Sequence, residues 1–284
     1  ELATRVGELH GADFDLYELI GRTVRDEILA ALPEDWTFDG KRVLDFGCGA
    51  GRTLRHFLEE AEVGSFFGCD IDAPSIAWLQ SNLSPPLHPF TNEEKPPLRL
   101  ESESLDLIWA ISVFTHISDH WAAWLAELHR VLRDGGLLIA TIFGPGLSEE
   151  WTEATPDPRL ERGDPMVNEA DRTGMNVLHH GRSWDQGGPA VFLSAWWVEA
   201  HWGRAFEIIS IREEGFAPMP GWRGQGLLLA RKRPVAITVE ELKRIDPDEP
   251  REIAALRHNI RQLHHEAQKA QDTAAWLERE RARS

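Results

Sequence analysis

Arg42-Val-Leu-Asp45-Phe-Gly47-Cys-Gly49-Ala-Gly51-Arg52 is the stretch that decides the fold. Val43, Leu44 and Phe46 form a short apolar run, as a buried parallel strand requires. Asp45 sits near the end of that run, and Gly47, Gly49 and Gly51 then alternate through a tight turn. The segment from Thr53 to Glu60 predicts an amphipathic helix. A strand, a glycine turn and a helix in succession let the backbone approach a ligand closely, with unpaired N–H groups waiting at the helix start. The loop therefore reads as a site for a nucleotide-type cofactor.

The spacing narrows the choice of cofactor. A dinucleotide fingerprint, G-x-G-x-x-G, would need glycine at position 52, where Arg52 stands. No Tyr-x-x-x-Lys proton-donor constellation accompanies it. Residues Val63 to Asp70 predict a second strand ending in an acid, 19 residues after Gly51. That is near the spacing at which a Rossmann-type fold sets its ribose-binding carboxylate. A carboxylate accepts the two hydrogen bonds that a ribose diol offers.

What stands from Asp45 to Gly51 is D-x-G-x-G-x-G, which resembles motif I of the class I S-adenosylmethionine-dependent methyltransferases. The runs SLDLIWAISVFTHI, from Ser104, and ELHRVLRDGGLLIAT, from Glu127, resemble the later motifs of the same family, so the resemblance spans residues 41–143. It implies S-adenosyl-L-methionine as cofactor, held by Asp45, Gly47, Cys48, Gly49, Asp70, Ile71 and Asn92. Asn92 matches the polar residue that meets the adenine amino group in that family. The fold implied is α/β: a doubly wound, Rossmann-like sheet of seven strands with the last antiparallel. The activity implied is methyl transfer, by preference to an oxygen of a small molecule or carbohydrate. Enzymes that methylate DNA bases or glutamine carry N-P-P-Y-like residues after strand four; here that place reads Ser112-Val-Phe-Thr. A nicotinamide-dependent oxidoreductase, and a non-catalytic cofactor-binding module acting through its tail, are the alternatives.

If the acceptor is a hydroxyl, a base helps to remove its proton. His116, just past strand four, is the candidate, because loops at the carboxyl ends of such strands face the ligand crevice. His120 is a weaker one. His179-His180 invites a metal reading, but adjacent side chains point apart and no cluster nearby has zinc-type spacing, so no metal is expected. Trp184, Trp196, Trp197, Trp202 and Trp222 crowd the later part of the chain and are expected mostly in the core.

The 284 residues carry a net charge of −17. That balance argues against a nucleic-acid partner, since phosphate contacts need a basic face. No apolar run approaches the roughly 18 residues of a membrane span, and no leader opens the chain. A cytoplasmic protein without a membrane partner is expected. Cys48 and Cys69 are expected as small buried thiols.

Three regions follow. Residues 1–40 form an N-terminal helical cap, with Leu16, Leu19, Ile20, Val24 and Ile28 on one face and Tyr17 a candidate cofactor contact. Residues 41–233 form the main domain, with 144–190 as a substrate-side insertion rich in Gly, Pro, Asp and Trp. Residues 234–284 hold a capping box at Thr238–Glu241, a linker and a coiled-coil-like helix. In that helix Ile253, Leu256, Ile260, Leu263, Ala267, Ala270, Ala274 and Leu277 recur at alternating spacings of three and four. A weak homodimer through 253–277 is expected.

Overall fold

The computed structural model describes residues 14–144, 174–178, 181, 183–184, 187–216 and 224–281. Helix α1 (Phe14–Ala31) precedes strand β1 (Arg42–Phe46). Then come β2 (Ser65–Asp70), α2 (Ala73–Asn82), β3 (His88–Thr91), β4 (Leu105–Ala110), α3 (Trp121–Val131) and β5 (Leu132–Ile142). After these stand β6 (Met175–Leu178), β7 (Ala190–Leu193), α4 (Ala195–His201), β8 (Phe206–Phe216), β9 (Gln225–Lys232), α5 (Val239–Lys243) and α6 (Pro250–Arg281). His179, His180, Trp222 and most of the 144–190 insertion lie outside the described residues.

The main sheet has seven strands in the order β3-β2-β1-β4-β5-β9-β8. The first five are mutually parallel, and β9 runs antiparallel to both β5 and β8. The chain steps outward from β1 to β3, then returns to β4 on the other side of β1. That reversal opens a crevice beyond the carboxyl ends of β1 and β4, where open α/β sheets bind their ligands.

Alternate residues of the central strands feed two cores, as period-two geometry demands. Leu44, Ile108, Ala110, Leu138 and Ala140 pack with α3 and α4 on one face. Val43, Leu107, Trp109, Leu137 and Ile139 pack with α1 on the other, through Ile20, Val24 and Ile28. Leu19, expected on the apolar face of α1, is exposed; the buried stripe is Tyr17, Ile20, Val24 and Ile28.

The local structure departs from a simple reading of the sequence in three places. No α-helix follows the glycine loop: Leu54–Phe57 and Glu60–Glu62 are short 3-10 turns instead. Leu54, Phe57 and Ala61 still bury at helical spacing, but the tighter i→i−3 pattern of His56 N–H to the Thr53 carbonyl, 3.0 Å, ends the run early. Residues 133–136 lie within β5, which pairs Leu105 with Leu132 and then shifts register to pair Leu107 with Leu137. An antiparallel pair that no periodicity announced joins β6, inside the insertion, to β7, which begins at its last residue.

The capping box at Thr238 is present: its hydroxyl accepts from Glu241 N–H, and the Glu241 carboxylate accepts from Thr238 N–H. The first turns of α6 dock on the domain. Glu252 and Ala255 are buried, and Arg251 stacks over Trp196 at 4.8 Å. His201 Nδ1 lies 2.7 Å from the Leu242 carbonyl, so that nitrogen carries the proton. Its Nε2 faces Glu252 Oε1 at 2.9 Å inside the core. Burial lowers His201 from its ordinary 6.5, against the Leu242 carbonyl and the Glu252 charge.

Candidate cofactor and acceptor site

The glycine loop is built by its backbone. Gly47 and Cys48 N–H both donate to the Cys69 carbonyl, which ties the end of β1 to the end of β2. Gly47 and Gly49 hold positive φ, +82 and +53, which costs glycine nothing and a side-chain-bearing residue strain. Asp70 ends β2 and accepts from Gly49 N–H and Asp72 N–H, each at 2.8 Å. Asn92 N–H donates to the Asp70 carbonyl at 3.1 Å, so Asp70, Ile71 and Asn92 share one rim. All the residues expected at the cofactor are thus brought together around the ends of β1, β2 and β3.

Asp45 is buried and stands opposite Trp109 of β4 in register. Burial pushes its carboxyl up to about 7, and the Trp109 indole works in the opposite sense. The indole Nε1 and Asp45 Oδ2 are both buried and outside hydrogen-bond geometry. Cys48 and Cys69 are buried free thiols, held well above their ordinary range by burial.

Sequence reasoning missed Arg55. Its Nε donates to the Gly51 carbonyl and Nη2 to the Ala50 carbonyl, each at 3.1 Å. Its Nη1 pairs with Glu18 of α1 at 3.0 Å. The guanidinium also lies over the rings of Tyr17 and Trp78, at 5.2 and 5.4 Å. One side chain therefore joins α1, the glycine loop and α2. Tyr17 is buried beneath it, with its hydroxyl pushed up by burial and drawn down by Arg55 and Arg52.

Residues 44–138 match the family described as a methyltransferase domain. This segment is a class I S-adenosylmethionine-dependent methyltransferase domain. The chain is 32% identical over 113 residues to a phthiotriol/phenolphthiotriol dimycocerosates methyltransferase of Mycobacterium ulcerans, 39% of this chain and 41% of that one. It is 28% identical over 151 residues to a malonyl-[acyl-carrier protein] O-methyltransferase of Magnetococcus marinus, 52% and 55% of the two chains. The chain thus spans about half the length of the curated relatives it matches. Among solved structures, a 1,6-didemethyltoxoflavin-N1-methyltransferase of Burkholderia thailandensis, bound to 1,6-didemethyltoxoflavin and S-adenosylhomocysteine, aligns with a TM-score of 0.51 at 16% identity. That alignment covers 81% of this chain and 84% of that one, and at such identity it speaks for the fold.

The methyltransferase domain fits S-adenosylmethionine on its own features, and the nicotinamide alternative falls away. A Cβ added at Gly49 would meet nothing within 4 Å, so the loop leaves open space beside its backbone. The Asp70 carboxylate is pinned by two backbone donors. Asn92 Oδ1 is buried without a hydrogen-bond partner while its Nδ2 donates to the Glu93 carbonyl. An acceptor oxygen is what an adenine amino group requires.

The turn after β4 lies against the glycine loop. A Cβ at Gly47 would fall 2.3 Å from Val113 Cγ2. His116 N–H closes that turn onto the Val113 carbonyl at 2.9 Å. Its ring Nδ1 lies 2.8 Å from the Pro189 carbonyl, which only an Nδ1–H can satisfy, so in the neutral ring Nε2 keeps its lone pair. Burial lowers His116 from its ordinary 6.5, against the Pro189 bond. The ring stands edge-on to Phe143 at 5.9 Å, and Phe143 packs on Phe192 at 5.5 Å. Ser112, at positive φ of 58, donates its N–H to Thr141 Oγ1 and accepts from Gln225 Nε2 at 2.6 Å. Of the late tryptophans, Trp196, Trp197 and Trp202 are core, whereas Trp184 is exposed. Among the described residues no group of three or more His, Cys, Asp or Glu could hold a metal.

Proposed function

We propose that this protein transfers the methyl group of S-adenosylmethionine to a hydroxyl oxygen of a small acceptor with an apolar body, with His116 as general base. The cofactor supplies an electrophilic methyl on a sulfonium. Asp70 and Asn92 hold the nucleoside end, and the open backbone at Gly49 admits the remainder. Positioning provides much of the rate of an in-line displacement.

The observation that carries the reading is the fixed tautomer of His116. Pro189 occupies the Nδ1 proton, burial keeps the ring neutral near pH 7, and Nε2 remains able to take a proton. The aromatic surroundings, Phe143 and Phe192, favour an apolar acceptor over a carbohydrate. Matched relatives include proteins named for fatty-acid and lipid substrates, which supports the same direction.

Two measurements test it. Asp70→Ala should weaken adenosylhomocysteine binding by roughly 1.5–3 kcal/mol in calorimetry, the loss of hydrogen bonds to a charged group. Unchanged affinity in a folded variant removes Asp70 from the site. For turnover, a panel of long-chain alcohols and hydroxy acids is offered with radiolabelled cofactor. His116→Ala should lower turnover by roughly 10²–10⁴ while adenosylhomocysteine affinity is kept. The wild-type rate should fall on acidification below 6.5 and be flat above it, and the variant should lose that limb. Equal rates and equal profiles return His116 to a purely structural place.

A further inference from the structure

Helix α6 runs 32 residues, about 48 Å at 1.5 Å per residue. Only its start touches the domain: from Leu256 onward every described side chain is exposed. Leu263 is 66% and Leu277 54% exposed. A lone helix with an uncovered apolar seam is marginal in water. A helix meant to lie on its own domain carries a wider stripe than two positions in seven.

The seam is lopsided. Its first half is large, with Ile253, Leu256, Ile260 and Leu263; its second half is small, with Ala267, Ala270 and Ala274 before Leu277. A parallel pair would stack alanine on alanine over half its length and leave that half thin. Run antiparallel, the same heptads place Leu256 opposite Ala274, Ile260 opposite Ala270, and Leu263 opposite Ala267, with Ile253 opposite Leu277. Three of the four kinds of layer then join a large residue to a small one, the arrangement that fills the space between two helices evenly, and the Ile253–Leu277 layers close the two ends. Charge agrees. The first half carries Arg251, Arg257 and Arg261 against Glu252, and the second half carries Glu266, Asp272, Glu278 and Glu280 against Lys269, Arg279 and Arg281. Antiparallel pairing sets a net basic half beside a net acidic one, whereas parallel pairing would set basic on basic.

From this pattern we infer that α6 is the interface of a homodimer in which two copies of the helix pair antiparallel. The occupant of the seam is a second copy of this chain, and two methyltransferase domains stand at opposite ends of the paired helices.

The test uses the full chain. Sedimentation should show a concentration-dependent dimer with a dissociation constant on the order of micromolar, since several layers hold only one large residue. Leu263→Glu should raise that constant at least tenfold while adenosylhomocysteine affinity, which controls for folding, stays unchanged. Orientation is read by cross-linking, with Cys48 and Cys69 buried and silent. Ile260→Cys mixed with Ala270→Cys should give a disulfide-linked heterodimer under mild oxidation, and Ile260→Cys alone should give little. Efficient self-linking of Ile260→Cys would overturn the antiparallel arrangement. A chain that stays monomeric at high concentration, or a Leu263→Glu variant that dimerises as before, would overturn the interface itself.

Discussion

Asp45 shows what the cofactor loop costs the protein at the level of one side chain. Its ordinary carboxyl value is 3.8, and in the folded chain burial raises it to about 7. Below about pH 4 the group is protonated folded or unfolded, and its burial carries no ionisation penalty. As pH rises, the unfolded chain ionises first, so the penalty grows between about pH 4 and 7 and is complete above that. A shift of this size corresponds to about 4 kcal/mol at most. Asp45→Asn should therefore raise the melting temperature of the cofactor-free protein at pH 8, with the gain vanishing towards pH 4, and should weaken cofactor binding. Melting curves across pH with parallel calorimetry check both halves. A carboxylate kept where it destabilises the fold is expected of a binding residue. Asp70, Gly47 and Gly49 were legible in the sequence because their chemistry is local: an acid at a strand end, glycines in the turn beside it. Arg55 was not, because its role is assembled from Glu18, Tyr17, Trp78 and two loop carbonyls, and no spacing links them.

Among elements, α1 and the short turns after β1 act together. The sequence marked α1 by its apolar spacing. It missed the β6–β7 pair, because strands of four residues leave too little alternation to see against a composition rich in glycine and proline. It also mistook the segment after Gly51 for an α-helix, since Leu54, Phe57 and Ala61 have helical spacing whichever helix type joins them. With 3-10 turns there, the Arg55 side chain meets the Ala50 carbonyl and joins its own backbone N–H on the Gly51 carbonyl. Arg55→Met should then loosen two elements at once. We expect adenosylhomocysteine affinity to fall about tenfold, in line with charged hydrogen bonds worth roughly 1.5–3 kcal/mol, and amide exchange of α1 to quicken. Arg55→Lys should rescue little, because a point charge cannot span two carbonyls and a carboxylate as a guanidinium fork does. Unchanged exchange in α1 would mean that its buried stripe and the Arg25–Glu60 and Arg212–Glu27 pairs hold it without Arg55.

For the molecule as a whole, a seven-stranded sheet with its last strand antiparallel is what the resemblance implied, and the order of the strands comes from the structure. The heptad seam of α6 was equally visible. The docking of its first turn was not, because His201 and Glu252 meet across a long separation in sequence and either would pass for an ordinary surface residue. Among the described residues no helix is long and apolar enough to cross a membrane. The two thiols add a property of a different kind. Cys48 and Cys69 sit where β1 and β2 end, and only a thiolate reacts readily with electrophiles or oxidants. In the closed protein neither thiolate forms easily nor meets solvent, so their chemistry must wait for the sheet to part there. Oxidation of these two thiols should therefore follow the rate at which the sheet parts there, and a ligand that binds only the closed protein should slow it.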